Sequence, residues 1–338
     1  MHEAMYYEKR QGGSVQCHLC PHHCLIKPDE RGRCRARENQ GGTLFSLNYG
    51  RATSVAMDPI EKKPLYHFYP GTDILSLGTF GCNFQCPYCQ NWQISQGTPM
   101  SQEITSDQAV ALARQRRSIG IAYTYNEPII WYEFVLHTAR KAAAQGLKNV
   151  LVTNGFIEQE PLRELLPVID ALNVDVKSGS PAFYRELCKG RLEPVLAAVE
   201  TAAQEAHVEV TTLVIPGQND SDEDLEAVAR WVSEHVGRHV PAHLSAYTPR
   251  YRFTAPPTPL QTLQRAYDLF ARHLDYVYLG NVMARDGSDT RCPGCGAVLI
   301  RRSGYHVEMV GLDGARCRAC GRPCPVVLEG TRRVEPGG

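Results

Sequence analysis

The chain has no long apolar segment, and this absence excludes whole classes of protein. Its 338 residues are 43% hydrophobic, yet no run of about 18 apolar residues occurs, the length that a membrane-spanning helix needs. The N-terminal stretch MHEAMYYEKRQGG is charged and lacks the apolar core of a signal peptide. We therefore expect a cytoplasmic protein with no membrane partner.

An excess of charge of either sign is also missing. Thirty-six basic side chains balance thirty-six acidic ones, so the formal net charge is zero. Proteins that hold nucleic acid by bulk electrostatics carry a positive excess, so a nucleic-acid partner is not expected.

Cysteine, in contrast, is abundant. Thirteen cysteines in a long chain without a signal sequence favour metal or redox chemistry over a disulfide scaffold. Cys188 stands alone, and the others form three groups: Cys17, Cys20, Cys24 and Cys34; Cys82, Cys86 and Cys89; and Cys292, Cys295, Cys317, Cys320 and Cys324.

Short apolar or β-branched runs alternate with helical stretches between the second and third cysteine groups. This alternation predicts βα units on a parallel sheet. Six units fit either a partial (β/α)6 barrel or an open doubly wound sheet, and no G-x-G-x-x-G motif follows the first run to support dinucleotide binding. The predicted strands are 74–81, 121–128, 149–155, 171–179, 208–217 and 242–249, with 276–281 as a closing strand.

The predicted α/β fold has three parts. They are an N-terminal Cys-rich metal-binding module at 1–70, the partial barrel at 71–285 and a C-terminal zinc-ribbon-like module at 286–338.

Three cysteines crowd together at the end of the first predicted strand. Cys82, Cys86 and Cys89 are spaced C-x3-C-x2-C, whereas a structural zinc site takes four ligands. Three thiolates bind three irons of a cubane cluster and leave the fourth iron open to an exchangeable ligand. The loop also lies at the carboxyl end of a barrel strand, where the active sites of such barrels are found. The alternative is a zinc site completed by a remote cysteine or histidine.

This loop resembles that of radical S-adenosylmethionine (radical SAM) enzymes, whose CxxxCxxC loop binds a 4Fe-4S cluster. The resemblance covers most of the chain and is nearest to the activases of glycyl radical enzymes. More narrowly, CHLCPHHC…GRC near the start, with YTYNEP, LVTNG, DVKSG and the PRY…PTP stretch, is similar to the radical SAM component of the AmmeMemoRadiSam system.

The resemblance implies an activity. The amino and carboxylate groups of SAM would chelate the open iron, and an electron from the reduced cluster would release a 5′-deoxyadenosyl radical that takes a hydrogen atom from a substrate. An electron donor such as flavodoxin or ferredoxin is implied, as is a protein substrate if the chain is an activase. A small molecule or another peptide is the alternative substrate. The alternative function is a non-catalytic iron–sulfur or zinc protein that binds RNA or protein.

Polar and apolar residues alternate along the predicted strand in ALNVDVKSG. Because the outer face of a barrel strand meets helices, the apolar residues point outward, and Asp175 and Lys177 point into the lumen. Buried charges are unfavourable unless they are paired with each other, with Glu127 or with a ligand. The resemblance implies that both residues help to hold SAM, the lysine meeting its carboxylate. An internal ion pair is the alternative.

Further contacts with SAM are implied by the resemblance alone. Glu127 in YTYNEP stands where radical SAM enzymes have Gly-Gly-Glu, although Tyr125 and Asn126 replace the usual glycines. Capping of the following helix is the alternative role of Glu127. Asn154 is implied to bind the SAM ribose and Tyr88 to pack on adenine. Their alternatives are a simple Asn-Gly turn and an aromatic cover over the cluster.

His243, Ser245 and Tyr247 share one face of the sixth predicted strand, and we expect this face to line the lumen. His243 and Tyr247 are candidates for contacts with adenine or substrate. A core histidine with satisfied hydrogen bonds is the alternative for His243.

The two outer cysteine groups have the spacing of metal sites. Cys17, Cys20, Cys24 and Cys34 suit a closed zinc site, with a second iron–sulfur cluster or no metal as alternatives. The C-terminal pairs Cys292-x2-Cys295 and Cys317-x2-Cys320 are typical of a zinc ribbon, and a rubredoxin-like iron site uses the same spacing.

Overall fold

An eight-stranded sheet forms the centre of the protein in a computed structural model that describes residues 1–282 and 287–329. Its strands are β1 (Ser54–Pro59), β2 (Asp73–Gly78), β3 (Gly120–Tyr123), β4 (Lys148–Thr153), β5 (Ala171–Asp175), β6 (His207–Val214), β7 (Ala242–Ala246) and β8 (Val277–Gly280). The predicted strands and the predicted closing strand are therefore confirmed.

Strand order in the sheet follows the order of the sequence, from β1 at one edge to β8 at the other. β1 runs antiparallel to β2, and every later neighbouring pair is parallel. A doubly wound sheet reverses its strand order at a switch point. This uninterrupted order therefore excludes the doubly wound sheet and supports the barrel. Because β1 and β8 are the edges of the sheet, the barrel is partial.

A helix connects each pair of consecutive parallel strands, which gives the six predicted βα units. The first helix begins after Thr105, which forms a capping box with Gln108, so that two otherwise unpaired amides are satisfied. Within the described residues, no helix has both the length and the apolarity to cross a membrane. The main connecting helices are α1 (Ser106–Gln115), α2 (Tyr132–Ala143), α3 (Gln159–Leu165), α4 (Glu193–Glu205), α5 (Asp222–His235) and α6 (Leu260–His273).

The inward face of β5 is polar, as its alternation predicts. Leu172 and Val174 lie in the main hydrophobic core. Asn173, between them, accepts a hydrogen bond from the Thr211 hydroxyl at 2.9 Å and donates one to the Pro64 carbonyl at 2.7 Å. Successive side chains of a strand point to opposite faces, so Asn173 and the other polar residues of β5 face the lumen.

Two small antiparallel sheets precede the barrel. Their buried residues belong to the same hydrophobic core as the barrel strands and helices. Arg37 of the first sheet forms a buried ion pair with Glu133 of α2. The strands of the first sheet are His2–Glu3, Thr43–Ser46 and Arg37–Gln40, and those of the second are Tyr7–Lys9, Val15–Cys17 and Leu25–Ile26.

An arginine in the strands of the C-terminal module is buried against the segment that precedes β2. Arg302 is buried, donates hydrogen bonds to the Tyr66 carbonyl at 2.7 Å and the Thr290 hydroxyl at 2.8 Å, and lies 4.2 Å over the Tyr66 ring. The strands of this module are Thr290–Arg291, Val298–Ser303 and His306–Met309, followed by Leu312–Asp313 paired with Arg316–Cys317.

The division at residues 70 and 285 stays a prediction. β1 precedes the first predicted boundary and pairs with β2 across it. The second boundary lies outside the described residues.

Replacing Arg302 should destabilise the fold strongly. Arg302→Ala removes the cation that lies 3.9 Å from the buried Glu61 carboxylate and the donor to Thr290 and Tyr66, a loss of about 3–5 kcal/mol. Arg301→Ala is the matched control, because the Arg301 side chain is 59% exposed and its loss should change stability by about 0.5 kcal/mol or less. Urea unfolding followed by circular dichroism measures both, and equal losses would contradict the anchoring role.

Candidate active site

A cavity of about 550 Å³ opens at the carboxyl ends of the parallel strands. Small-molecule sites have volumes of about 300–1,000 Å³, so the cavity suits a ligand of nucleotide size. Its wall brings together eight of the ten residues that the sequence predicts for cofactor binding: Cys82, Cys86, Tyr88, Cys89, Glu127, Asn154, Asp175 and Lys177.

The cysteine loop is fixed by contacts of its own. The Phe84 amide donates to Cys82 Sγ at 3.3 Å, and Cys89 Sγ lies 3.2 Å from the Ser95 hydroxyl. The three loop sulfurs are not gathered around one point: among the described residues, only the C-terminal cysteines form a group whose ligand atoms lie within 4.8 Å of one another. The thiolates of a cubane cluster bind separate irons at its corners, so their sulfurs are widely spaced. The thiolates of a single zinc ion share one metal, so their sulfurs lie closer together.

Glu127 is buried and accepts three hydrogen bonds. Oε1 accepts from the Thr153 hydroxyl at 2.7 Å and from the Ile129 amide at 3.0 Å, and Oε2 accepts from the Asn154 amide at 2.7 Å. Burial raises the pKa of Glu127 to about 7, although these donors act in the opposite direction. The bond from Ile129 is the helix-capping role that the sequence left open. The bond from Asn154 joins the end of β3 to the end of β4.

Asn154 extends this network to the cysteine loop. Its side-chain amide donates to Asn83 Oδ1 at 2.8 Å and lies 3.7 Å from Cys82 Sγ. Asn83 in turn donates to the Phe156 carbonyl at 2.8 Å. Sequence reasoning missed Asn83, and the available signal was its place between Cys82 and Cys86, two of the predicted ligands. The network holds the loop against the ends of two strands.

Tyr125 and Asn126 show how the YTYNEP segment is held without glycines. Tyr125 has a φ of 72°, in the left-handed region that glycine adopts without strain. Its hydroxyl donates to Asp58, a contact that glycine cannot make. Asn126 accepts a hydrogen bond from the Thr79 amide at 3.1 Å and donates to the Gly81 carbonyl at 2.8 Å. Side-chain contacts therefore hold the segment beside the cysteine loop.

Asp175 and Lys177 form an ion pair in the cavity wall, with 2.7 Å between Oδ2 and Nζ. Burial disfavours the ammonium, but the Asp175 carboxylate counteracts this effect and the pKa of Lys177 lies well above its ordinary value. The internal pair that the sequence left open is therefore present. Since the pair also lines the cavity, it adds a fixed cation and a fixed anion to the wall.

His243 and Tyr247 lie outside the residues that line the cavity. His243 Nε2 is 2.6 Å from Glu209 Oε2, and its ring stacks on Tyr278. The Tyr247 hydroxyl donates to the Phe253 carbonyl at 2.9 Å. His243 thus has the satisfied hydrogen bond of a core histidine, and the binding role of both residues stays a prediction.

Cys188 lies against the cysteine loop, although it stands alone in the sequence. Its sulfur is 3.3 Å from the Tyr88 hydroxyl, and its carbonyl accepts a hydrogen bond from the Gln85 amide at 3.0 Å. Tyr88 is therefore buried against this thiol. No spacing pattern reveals this contact, because 100 residues separate Tyr88 from Cys188.

The C-terminal cysteines form a compact four-sulfur site. Sulfur–sulfur distances are 3.6 Å between Cys292 and Cys320 and 3.7 Å between Cys295 and Cys317. Thiolates about 2.3 Å from a tetrahedral zinc ion lie about 3.8 Å apart, so the set fits one ion. Cys324 lies outside this group, 3.6 Å from the Tyr276 hydroxyl.

Glu127 should make stability depend on pH. Because its folded pKa of about 7 exceeds the ordinary 4.5, its contribution is greatest below about pH 4.5 and is lost as the pH rises to about 7. Glu127→Gln stays neutral, so its stability relative to the wild type should increase through this window. Urea midpoints of both iron-free proteins measure the difference, and a difference independent of pH would contradict the raised pKa.

Known proteins share this sequence pattern. The profile of the Radical SAM superfamily matches residues 76–232. The uncharacterised protein MJ0808 of Methanocaldococcus jannaschii is 46% identical over 336 residues, which cover 97% of this chain and 100% of that protein.

Two activating enzymes are more distantly similar. The benzylsuccinate synthase activating enzyme of Thauera aromatica is 25% identical over 195 residues, 55% of this chain and 59% of that enzyme. The pyruvate formate-lyase 1-activating enzyme of Escherichia coli K12 is 26% identical over 162 residues, 46% of this chain and 66% of that enzyme. The matching region contains the cysteine loop and the strand ends that surround it, and on these grounds the chain belongs to the Radical SAM superfamily.

Proposed function

We propose that the protein is an enzyme that reductively cleaves SAM at a 4Fe-4S cluster held by Cys82, Cys86 and Cys89. One observation carries this proposal: the three thiols share a cavity wall with the Asp175–Lys177 pair, and no fourth cysteine lines that cavity among the described residues. The donor set fits a cluster with one iron left for an exchangeable ligand. When bound, the cluster and SAM supply the radical chemistry, in which a 5′-deoxyadenosyl radical takes hydrogen from a substrate.

The residues of the chain position SAM and keep water away from it. The Lys177 ammonium attracts the carboxylate of SAM, and Asp175 keeps that ammonium in place. Asn154 lines the cavity at the end of β4, where its backbone amide donates to the Glu127 carboxylate and its side-chain amide donates to Asn83. Tyr88 contributes a buried ring to the wall. A wall of this kind orients a zwitterionic ligand and excludes solvent, which a reactive radical requires.

The finer proposal concerns the substrate and partners. Similarity to two activating enzymes supports a protein substrate, as in the activases of glycyl radical enzymes. A small molecule or peptide is the second candidate. The N-terminal CHLCPHHC motif supports the narrower relation to the AmmeMemoRadiSam system. A one-electron donor of the flavodoxin or ferredoxin class is required, and thirteen free cysteines suit the reducing cytoplasm.

Anaerobically reconstituted protein, reduced with dithionite, should convert SAM to 5′-deoxyadenosine and methionine. Cys86→Ala should reduce the product to the level of the protein-free reaction, because an iron of the cluster loses its ligand. Cys324→Ala is the matched control and should keep the activity, since Cys324 lies in the C-terminal module away from the cavity. Chromatography of the products measures both, and equal turnover by Cys86→Ala and wild type would refute the assignment.

We also propose that Cys292, Cys295, Cys317 and Cys320 bind one zinc ion, on the basis of their close sulfur spacing. Elemental analysis should find about one zinc per chain, lost in Cys295→Ser and retained in Cys324→Ser. Iron in place of zinc, with the absorption of a rubredoxin, would contradict the metal assignment.

A further inference from the structure

We propose that Cys17, Cys20, Cys24 and Cys34 bind a second iron–sulfur cluster that exchanges electrons with the cluster of the barrel loop. Binding of this cluster is independent of the proposed function, whereas its role in electron transfer rests on that function. Four observations support the proposal: the spacing of the N-terminal sulfurs, the Arg37 guanidinium beside them, the apolar remainder of the cavity wall, and the contact between the chain segments that carry the two cysteine sets.

The N-terminal sulfurs are spread more widely than those of a zinc site. All four cysteines line one cavity of about 20 Å³, enough for a water-sized sphere, which needs about 10–15 Å³. Within the described residues, the four N-terminal sulfurs do not all lie within 4.8 Å of one another, whereas the four C-terminal sulfurs do. They share this wider spacing with the three cysteines of the barrel loop.

A buried cation faces the N-terminal sulfurs. Arg37 lines the same cavity, its side chain is 2% exposed, and its terminal nitrogen lies 3.8 Å from Cys17 Sγ. Glu133 pairs with the other terminal nitrogen, but the Arg37 Nε has no hydrogen-bond partner. A buried donor without a partner is unfavourable, so it marks a place for an acceptor. Thiolate or inorganic sulfide is such an acceptor, and the guanidinium offsets its negative charge.

The remaining cavity wall is mainly apolar. Leu19, Ile26 and Ile130 are buried there. Hydrogen bonding and solvent exposure around the sulfurs tune the potential of an iron–sulfur cluster, so a dry wall with one donor suits a redox centre.

The chain segments that carry the two cysteine sets touch on both sides of Cys82. On one side, Gly81 packs so closely against Cys34 that a Cβ at Gly81 would lie 2.4 Å from the Cys34 carbonyl oxygen. On the other side, His22, which lies between two of the N-terminal cysteines, is 2.8 Å from the Asn83 carbonyl. Only glycine permits the first contact, because any larger residue would push the segments apart. The packing thus offers a short path for an electron.

The redox step is simple in this arrangement. A one-electron donor of the flavodoxin or ferredoxin class, or dithionite in vitro, would reduce the cluster held by the N-terminal cysteines by one electron. That electron would then pass to the cluster held by Cys82, Cys86 and Cys89, which would leave the N-terminal cluster oxidised again. No bond is formed or broken in the transfer.

Metal and sulfide analysis of three proteins tests the proposal. Wild type should contain about eight irons, eight acid-labile sulfides and one zinc per chain, from two 4Fe-4S clusters and one zinc site. The N-terminal variant Cys20→Ser/Cys24→Ser and the loop variant Cys82→Ala/Cys86→Ala/Cys89→Ala should each retain about four irons, four sulfides and the zinc. Loss of zinc instead of iron in the N-terminal variant, or unchanged metal, would overturn the proposal.

The loop variant keeps the test decisive even if the N-terminal variant does not fold. This variant leaves all four N-terminal cysteines intact. If it contained no iron and no sulfide, the proposal of a second cluster would also be overturned. Failure of the proposed function has a different signature, because the loop variant would then retain the full iron content of the wild type. Electron paramagnetic resonance of the fully reduced wild type should show spin–spin coupling that is lost in both variants, and uncoupled spectra would remove the electron-transfer role.

Discussion

The buried carboxylate of Glu127 is the contact on which the candidate site depends. It binds donors from the end of β4 and from the segment after β3, and through Asn154 and Asn83 it reaches the cysteine loop. Three strand-end segments are therefore fixed by one group. A buried carboxylate stays favourable only while its hydrogen bonds are kept, so this network ties the three cysteines of the loop to the barrel. The same burial raises the pKa of the Glu127 carboxyl group to about 7.

The two outer modules are attached to the barrel by similar buried contacts at different places. Arg37 joins the first N-terminal sheet to α2. Arg302 joins the C-terminal module to Tyr66, before β2 and away from the strand ends that form the cavity. Truncation of one partner in such a pair leaves an uncompensated charge. The N-terminal cysteine segment packs against the loop of Cys82, whereas the C-terminal cysteines lie outside the residues that line the cavity.

Much of this arrangement can be predicted from the sequence, because local rules fix it. Alternation in ALNVDVKSG places Asp175 on the lumen side, since the pleat of a strand leaves no other choice. Alternation does not show, however, which residues of the lumen-facing side reach the cavity. His243 and Ser245 share a face of β7, yet Ser245 lines the cavity while His243 contacts Glu209. The contact between Cys188 and Tyr88 was also beyond prediction, because it depends on how two distant loops pack.

The central claim is that three thiolates leave one iron open to SAM. Electron–nuclear double resonance on the reduced protein, with SAM labelled at its amino nitrogen and carboxylate, tests this claim most directly. The account predicts hyperfine coupling of both labels to the cluster. An iron signal that does not change on addition of SAM, with no coupling to either label, would contradict it.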